Sequence, residues 1–251
     1  MNGGVLRVRE LVKSYGPVPV IDGVDLDVRP GETCALLGPS GCGKSTLLRV
    51  FAGFEEPDDG TVDLDGHAVT APSPERGMVA QAGTLFPWLT LRQNLAFGPR
   101  ETGAADVPAR VDRLLADTGL ADFADALPRT LSGGMRQRAA IAQVLANEPP
   151  VLLLDEPFGA LDAQTRLRMH EWLRALLGRQ DTTTVLVTHD VDEALLLADR
   201  LLLLSARPAR ITEEVDVALG DDRGRHTLSD PEFVRIKATV LDAVLTAPGP
   251  V

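Results

Sequence analysis

Apolar and polar positions alternate through Val5 to Tyr15 and again through Val18 to Val28, where Val24, Leu26 and Val28 share one face. A period of two predicts a pair of strands with one side buried. Pro30-Gly31 then turns the chain into Thr33-Cys34-Ala35-Leu36-Leu37, a short unbroken apolar run that reads as a buried strand. Leu47 to Ala52 begins a helix, and Asp59-Gly60 opens a short strand, Thr61 to Leu64, closed by Asp65-Gly66. Gly77 to Ala80 is another strand, ending at Gln81. From Leu91 the period becomes helical, over Leu91 to Phe97 and Val107 to Gly119, with Val111, Leu114 and Leu115 on one face. A further helix runs from Met135 to Asn147 and stops at Glu148-Pro149-Pro150.

Val151 to Leu154 is apolar at every position, the pattern of a central parallel strand. The rest alternates: a helix from Ala163 to Arg179, a strand from Thr183 to Val187, a helix capped by Asp190 through Ala198, and a strand from Leu201 to Leu204. Such alternation predicts a parallel α/β core, preceded by an antiparallel β portion and interrupted by a helical insert at about 91–147. The stretch at about 207–251 reads as a short, helical C-terminal tail that carries a charged loop from Asp221 to Arg225. A last helix, capped by Asp230-Pro231, is expected to place Phe233, Ile236, Val240, Leu241 and Val244 on one stripe. All 251 residues read as one domain.

Between the third strand and the first helix stands Gly38-Pro39-Ser40-Gly41-Cys42-Gly43-Lys44-Ser45-Thr46. The glycines let backbone N–H groups close on phosphate oxygens, and the helix N-terminus adds partial positive charge. Lys44 is expected at the β- and γ-phosphates, and the Ser45 hydroxyl on Mg²⁺. The second element is Asp155-Glu156, at the C-terminal edge of the apolar strand, where open α/β sheets bind ligands. Asp155 suits Mg²⁺, directly or through water, and Glu156 suits a general base acting on water. Gln81, just after a strand, is placed to approach Mg²⁺ and that water, an ordinary surface glutamine being the alternative. His189 closes a β-branched strand and is placed to bond the γ-phosphate, a structural histidine being the alternative. Ser132-Gly133-Gly134 heads a helix and reads as a second anion-ready terminus, an ordinary glycine N-cap being the alternative. His67, His170 and His226 lack metal-ligand spacing and read as surface or structural.

A net charge of −11 without a basic patch argues against nucleic-acid binding. Two cysteines make no disulfide framework, and Cys34 in a buried strand with Cys42 in the cradle points to a reducing cytosol. Cys42 reads as a small residue that fits the loop, a sensor thiol being the alternative. Met1 to Glu10 has no apolar signal core. The longest apolar stretch, Ala194 to Leu204, is broken by Asp199-Arg200. A membrane role must therefore come through a partner.

Together these pieces resemble the ATP-binding cassette family, from about Val5 to Leu204. The cradle looks like its Walker A loop, Val151 to Glu156 like Walker B, and Leu131 to Gln137 like its signature sequence. Gln81 falls at the Q-loop, Ala160-Leu161-Asp162 at the D-loop, His189 at the switch histidine, and Tyr15 where an aromatic stacks on adenine. The resemblance implies a P-loop NTPase core and a head-to-tail dimer closed by ATP. In it Ser132, Gly133, Gly134 and Gln137 act in trans, with Asp162 linking the sites.

Leu85 to Thr90, Glu156 to Arg166 and Thr188 to Ala194 are similar to the nitrate, sulfonate and taurine importer group. This implies a peripheral ATPase on the cytoplasmic face of the membrane, working with a separate permease and, indirectly, an extracytoplasmic substrate-binding protein. Phe86, Pro87 and Trp88 are the implied permease contact. Ala80 and Ala82 flank Gln81 where many relatives carry Phe and an acidic residue, so this loop does not indicate the substrate. The rival classes are a soluble cassette serving DNA repair or the ribosome, and a cassette that senses ATP without turnover.

Overall fold

The computed structural model describes residues 3–81, 85–220 and 222–246. Two antiparallel strands, β1 (Leu6–Tyr15) and β2 (Val18–Val28), open the chain. β1 buries Leu6, Val8 and Leu11 and exposes Arg7 and Arg9. A period of two would turn Leu11 outward after Arg9-Glu10, but a bulge with Glu10 at φ +47° restores its inward direction. β4 (Asp59–Leu64) and β5 (His67–Ala68) complete this sheet in the order β2-β1-β4-β5. Their turn holds Asp65 at φ +52° and Gly66 at φ +80°, the paired left-handed residues that a two-residue hairpin needs.

The second sheet contains β3 (Thr33–Leu37), β6 (Arg76–Val79), β7 (Val151–Asp155), β8 (Thr183–Thr188), β9 (Arg200–Leu204) and β10 (Ile211–Asp216), in the order β10-β9-β3-β8-β7-β6. All neighbours are parallel except β10 and β9. Because both faces are covered, the central strands β3, β7 and β8 are buried throughout and mostly apolar, with Thr33, Asp155, Thr183, Thr184 and Thr188 as the polar exceptions. Cys34, Leu36, Val151 and Leu153 face a core shared with β1 and α1 (Lys44–Ala52). Ala35, Leu37, Leu152 and Leu154 face the opposite core. That core is shared with α2 (Leu91–Glu101), α3 (Val107–Asp117), α4 (Gly133–Leu145), α5 (Ala163–Leu177), α6 (Val191–Leu197) and α7 (Pro231–Thr246).

Parallel pairing brings the C-terminal ends of β3, β8, β7 and β6 to one edge of the sheet. The cradle follows β3, Glu156 follows β7, His189 follows β8 and Gln81 lies just beyond β6. Residues far apart in the chain are thus aligned by strand order alone.

Two expectations need correction. The tail is not helical from its start, because β10 pairs with β9 before α7 begins. Leu241 is exposed, whereas Phe233, Ile236 and Val240 are buried. At 100° per residue Leu241 lies about 80° round the helix from Phe233. Ala82 and Asp221, named above, lie outside the described residues. Among the described residues no helix is long and apolar enough to cross a membrane.

Candidate active site

The cradle is built from beneath. A Cβ on Gly43, whose φ is +123°, would stand 3.0 Å from the carbonyl oxygen of Val20, so only glycine fits this close approach. Cys42 is buried under the loop, and burial pushes its thiol pKa up. Lys44 is buried and donates to the carbonyls of Gly38, at 2.8 Å, and Pro39, at 3.0 Å. The ammonium therefore lies across the loop that carries Ser40 and Gly41. Thr46, in the first turn of α1, interacts with the Tyr15 phenol.

Ser45 Oγ donates to Asp155 Oδ1 at 3.0 Å. Burial holds the Asp155 carboxyl above the usual range, and the neighbouring Glu156 adds to the effect. A buried carboxylate beside a hydroxyl is a donor set suited to a hard cation such as Mg²⁺, whose charge would offset that burial.

Glu156 has φ +44°, an uncommon conformation for a residue with a side chain. Its amide donates to the carbonyl of Val187, which anchors the residue to the end of β8. The carboxylate is held on both oxygens: His189 Nδ1 lies 3.0 Å from Oε1, and Gln81 Nε2 donates to Oε2 at 3.2 Å. The structure thus brings Gln81, Glu156 and His189 into one hydrogen-bonded group. A carboxylate oriented on both sides at a sheet edge can accept a proton from water.

Tyr15 stands half exposed, and its hydroxyl donates to Glu55 Oε2. Glu55 is paired in turn with Arg49 of α1 at 3.1 Å. Burial, followed by the Glu55 bond, raises the phenol pKa. The ring is therefore anchored at its hydroxyl, with the Lys13 ammonium 5.9 Å from its centroid and about half of the residue left exposed.

The signature residues point elsewhere. Ser132 caps α4 by accepting from the Met135 amide, and with Gly133 it is exposed. Gly134 is buried, where a Cβ would meet Thr165 Cγ2 at 3.1 Å. Asp162 caps α5 through the amides of Gln164 and Thr165, and its bonds to Thr165 hold its carboxyl below the usual range. Gln137 instead lines a cavity of about 320 Å³ with Gln81 and Glu156 of the same chain. Its Nε2 is buried without a hydrogen-bond partner among the described residues.

Phe86, Pro87 and Trp88 precede α2. Trp88 is 72% exposed, and the Phe86 ring lies 5.7 Å from Trp88 and 4.7 Å from Phe97. Asn94, fully buried, accepts from the Phe86 amide at 2.7 Å and donates to the carbonyls of Phe86, Leu89 and Thr90.

The sequence matches the ABC transporter family over residues 21–159. The chain belongs to the ABC transporter family. It is 45% identical to the taurine import ATP-binding protein of Jannaschia sp. strain CCS1 over 235 residues, covering 91% of this chain and 88% of that protein. It is also 45% identical to an aliphatic sulfonates import ATP-binding protein of Burkholderia lata over 239 residues, covering 95% and 86%. A dimeric structure of the bacterial ABC transporter cassette MJ0796 superposes with a TM-score of 0.73 at 30% identity, covering 84% of this chain and 98% of that one.

This ABC cassette is an ATPase. Around its site three supporting residues carry no sequence signal: Glu55 behind Tyr15, Asn94 beneath Phe86, and Arg207, which donates to the Gly41 carbonyl at 2.8 Å.

Proposed function

We propose that this ABC ATPase powers import of a small solute, a taurine- or aliphatic-sulfonate-type compound, through a separate membrane permease. The observation that carries the hydrolytic half is Glu156, held by His189 on one oxygen and Gln81 on the other. Gly38 to Thr46 cradles the ATP phosphates, with Lys44 moving from the loop carbonyls to the β- and γ-phosphates, and Tyr15 stacks on adenine. Ser45, Asp155 and Gln81 hold Mg²⁺, which when bound neutralises β- and γ-phosphate charge. Glu156 takes the proton of the attacking water while His189 bonds the γ-phosphate.

One cassette leaves the γ-phosphate uncovered on one side. A second copy, arranged head to tail, presents the exposed Ser132 and Gly133 across the interface and excludes water there. Asp162, exposed beside the signature helix, joins the two sites. Phe86, Pro87 and Trp88 form the permease contact, which places the protein at the cytoplasmic face of the membrane. The relatives' names support the sulfonate class. Nitrate, and an extracytoplasmic binding protein that selects the solute, follow from the group resemblance alone.

The test is an affinity pull-down from gently solubilised native membranes. A multi-spanning permease in the eluate is expected. Ribosomes, DNA-repair proteins or no membrane partner would overturn the transport reading.

A further inference from the structure

Beneath the Glu156–His189 pair lies a second polar pair that the reaction above does not use. His170, on α5, is 4% exposed, and Glu193, on α6, is 3% exposed. His170 Nε2 stands 3.4 Å from Glu193 Oε1, just beyond a good hydrogen bond. Neither His170 ring nitrogen nor Glu193 Oε1 has a hydrogen-bond partner among the described residues. An apolar core here would avoid the cost of burying such groups, so their presence asks for a reason.

We propose that His170 and Glu193 are positioning residues that set the geometry of Glu156 against His189. The inference rests on Glu156 and His189 acting in hydrolysis. On one side, Glu193 Oε2 accepts from the buried Thr188 hydroxyl, and Thr188 Oγ1 accepts from the Asp190 amide at 3.0 Å. His189 is the residue between. Its side chain is half exposed and unable to lock itself by packing, so the turn that carries it is fixed from below by Glu193.

On the other side, the His170 ring lies 5.4 Å from the fully buried ring of Phe158, two residues past Glu156. Glu156 holds a left-handed backbone conformation that its surroundings must enforce. His170 therefore touches the support of the base, and through Glu193 it touches the support of the histidine. One helical turn earlier on α5, Arg166 donates to Asp190 Oδ2 at 3.1 Å and to the Leu161 carbonyl at 3.0 Å. Residues i and i+4 of α5 thus meet residues i and i+3 at the start of α6, so the two helices are fastened at two points.

The test compares Glu193→Leu, His170→Leu, the double Leu variant and His170→Gln, with Glu156→Gln in parallel. It reads thermal midpoint, kcat and KM for Mg-ATP on the whole chain. Each single Leu variant strands its partner, so the midpoint and kcat both fall. In the double variant both members of the pair are gone and only the Thr188 hydroxyl is left without its acceptor, so the midpoint recovers in part. Its kcat stays about tenfold or more below wild type while KM for ATP holds within about twofold, because misplacement of catalytic groups by a fraction of an ångström costs rate rather than binding. His170→Gln keeps an N–H group facing Glu193 and keeps most of kcat. A kcat in the double variant that recovers to the same extent as the midpoint would make the pair merely structural and overturn the proposal. A KM that rises in step with the fall in kcat would also overturn it. Wild-type turnover in Glu156→Gln would instead remove the hydrolytic reading on which the proposal stands.

Discussion

Ser45 Oγ donates to Asp155 Oδ1 at 3.0 Å, joining the first helix to the end of β7 across 110 residues of chain. Burial raises the Asp155 carboxyl pKa, so the folded protein holds that proton to higher pH than the unfolded chain does. The group's contribution to stability is full below the ordinary carboxylate range and is lost as pH rises through the raised value. In Asp155→Asn the apo protein is therefore expected to melt a few degrees higher than wild type at neutral pH, a gap that narrows in acid. Mg-ATP is expected to stabilise wild type far more than the variant. Differential scanning fluorimetry across pH, with and without Mg-ATP, checks both. A lower apo midpoint in the variant at neutral pH would contradict the account.

Glu156→Gln preserves the size of the side chain but removes the base. Hydrolysis is expected to fall by about 10²–10³. ATP binding persists, and the ATP-bound dimer accumulates because it is no longer opened by turnover. Phosphate release and size-exclusion chromatography with ATP measure the two effects. Near-wild-type hydrolysis would remove Glu156 from the base role.

Trp88 presents most of its surface to solvent and rests on Phe86. Trp88→Ala is expected to leave hydrolysis by the isolated chain unchanged and to weaken permease binding by about tenfold or more, the scale of an aromatic anchor. Asn94→Leu should weaken the same binding by releasing Phe86 to Thr90 from their buried staple. It should also cost about 1–3 kcal/mol of stability, since buried backbone groups lose their partner. Binding to permease reconstituted in nanodiscs, set beside thermal denaturation, separates these effects.

The chain's two cysteines are both buried, and burial pushes the Cys34 thiol up to about 12 and the Cys42 thiol up as well. Little thiolate exists at neutral pH, so a disulfide reagent such as DTNB is expected to label neither quickly in the folded protein and both in denaturant. Rapid labelling of one thiol in the native state would revive a sensor role for Cys42.

What was legible along the chain was whatever is encoded locally. Gly38 to Thr46 and Val151 to Glu156 each place their chemistry by spacing within a single strand and its turn, and the strand order then aligns them. The supporting hydrogen bonds were not legible. Asn94 reaches Phe86 over 8 residues, Glu55 reaches Tyr15 over 40, and Arg207 reaches Gly41 over 166. Each is an ordinary polar residue until the fold supplies its partner. β10 is not legible because Ile211 to Asp216 is an edge strand with three exposed central residues, Thr212, Glu213 and Glu214, so its alternation is weak. The exposure of Leu241 is not legible either, because an apolar residue adjacent to a helical stripe resembles one within it.

The left-handed backbone of Glu156 carries a warning for protein engineering. A search for stabilising substitutions that weighs backbone preference would favour glycine or asparagine there. At the preceding position, the same search would remove the buried charge of Asp155. Two consecutive residues are thus the ones such a search would change first, and a library selected on heat resistance alone should fill with folded, inert proteins. Thermostabilising this cassette calls for holding 155 and 156 constant and selecting elsewhere.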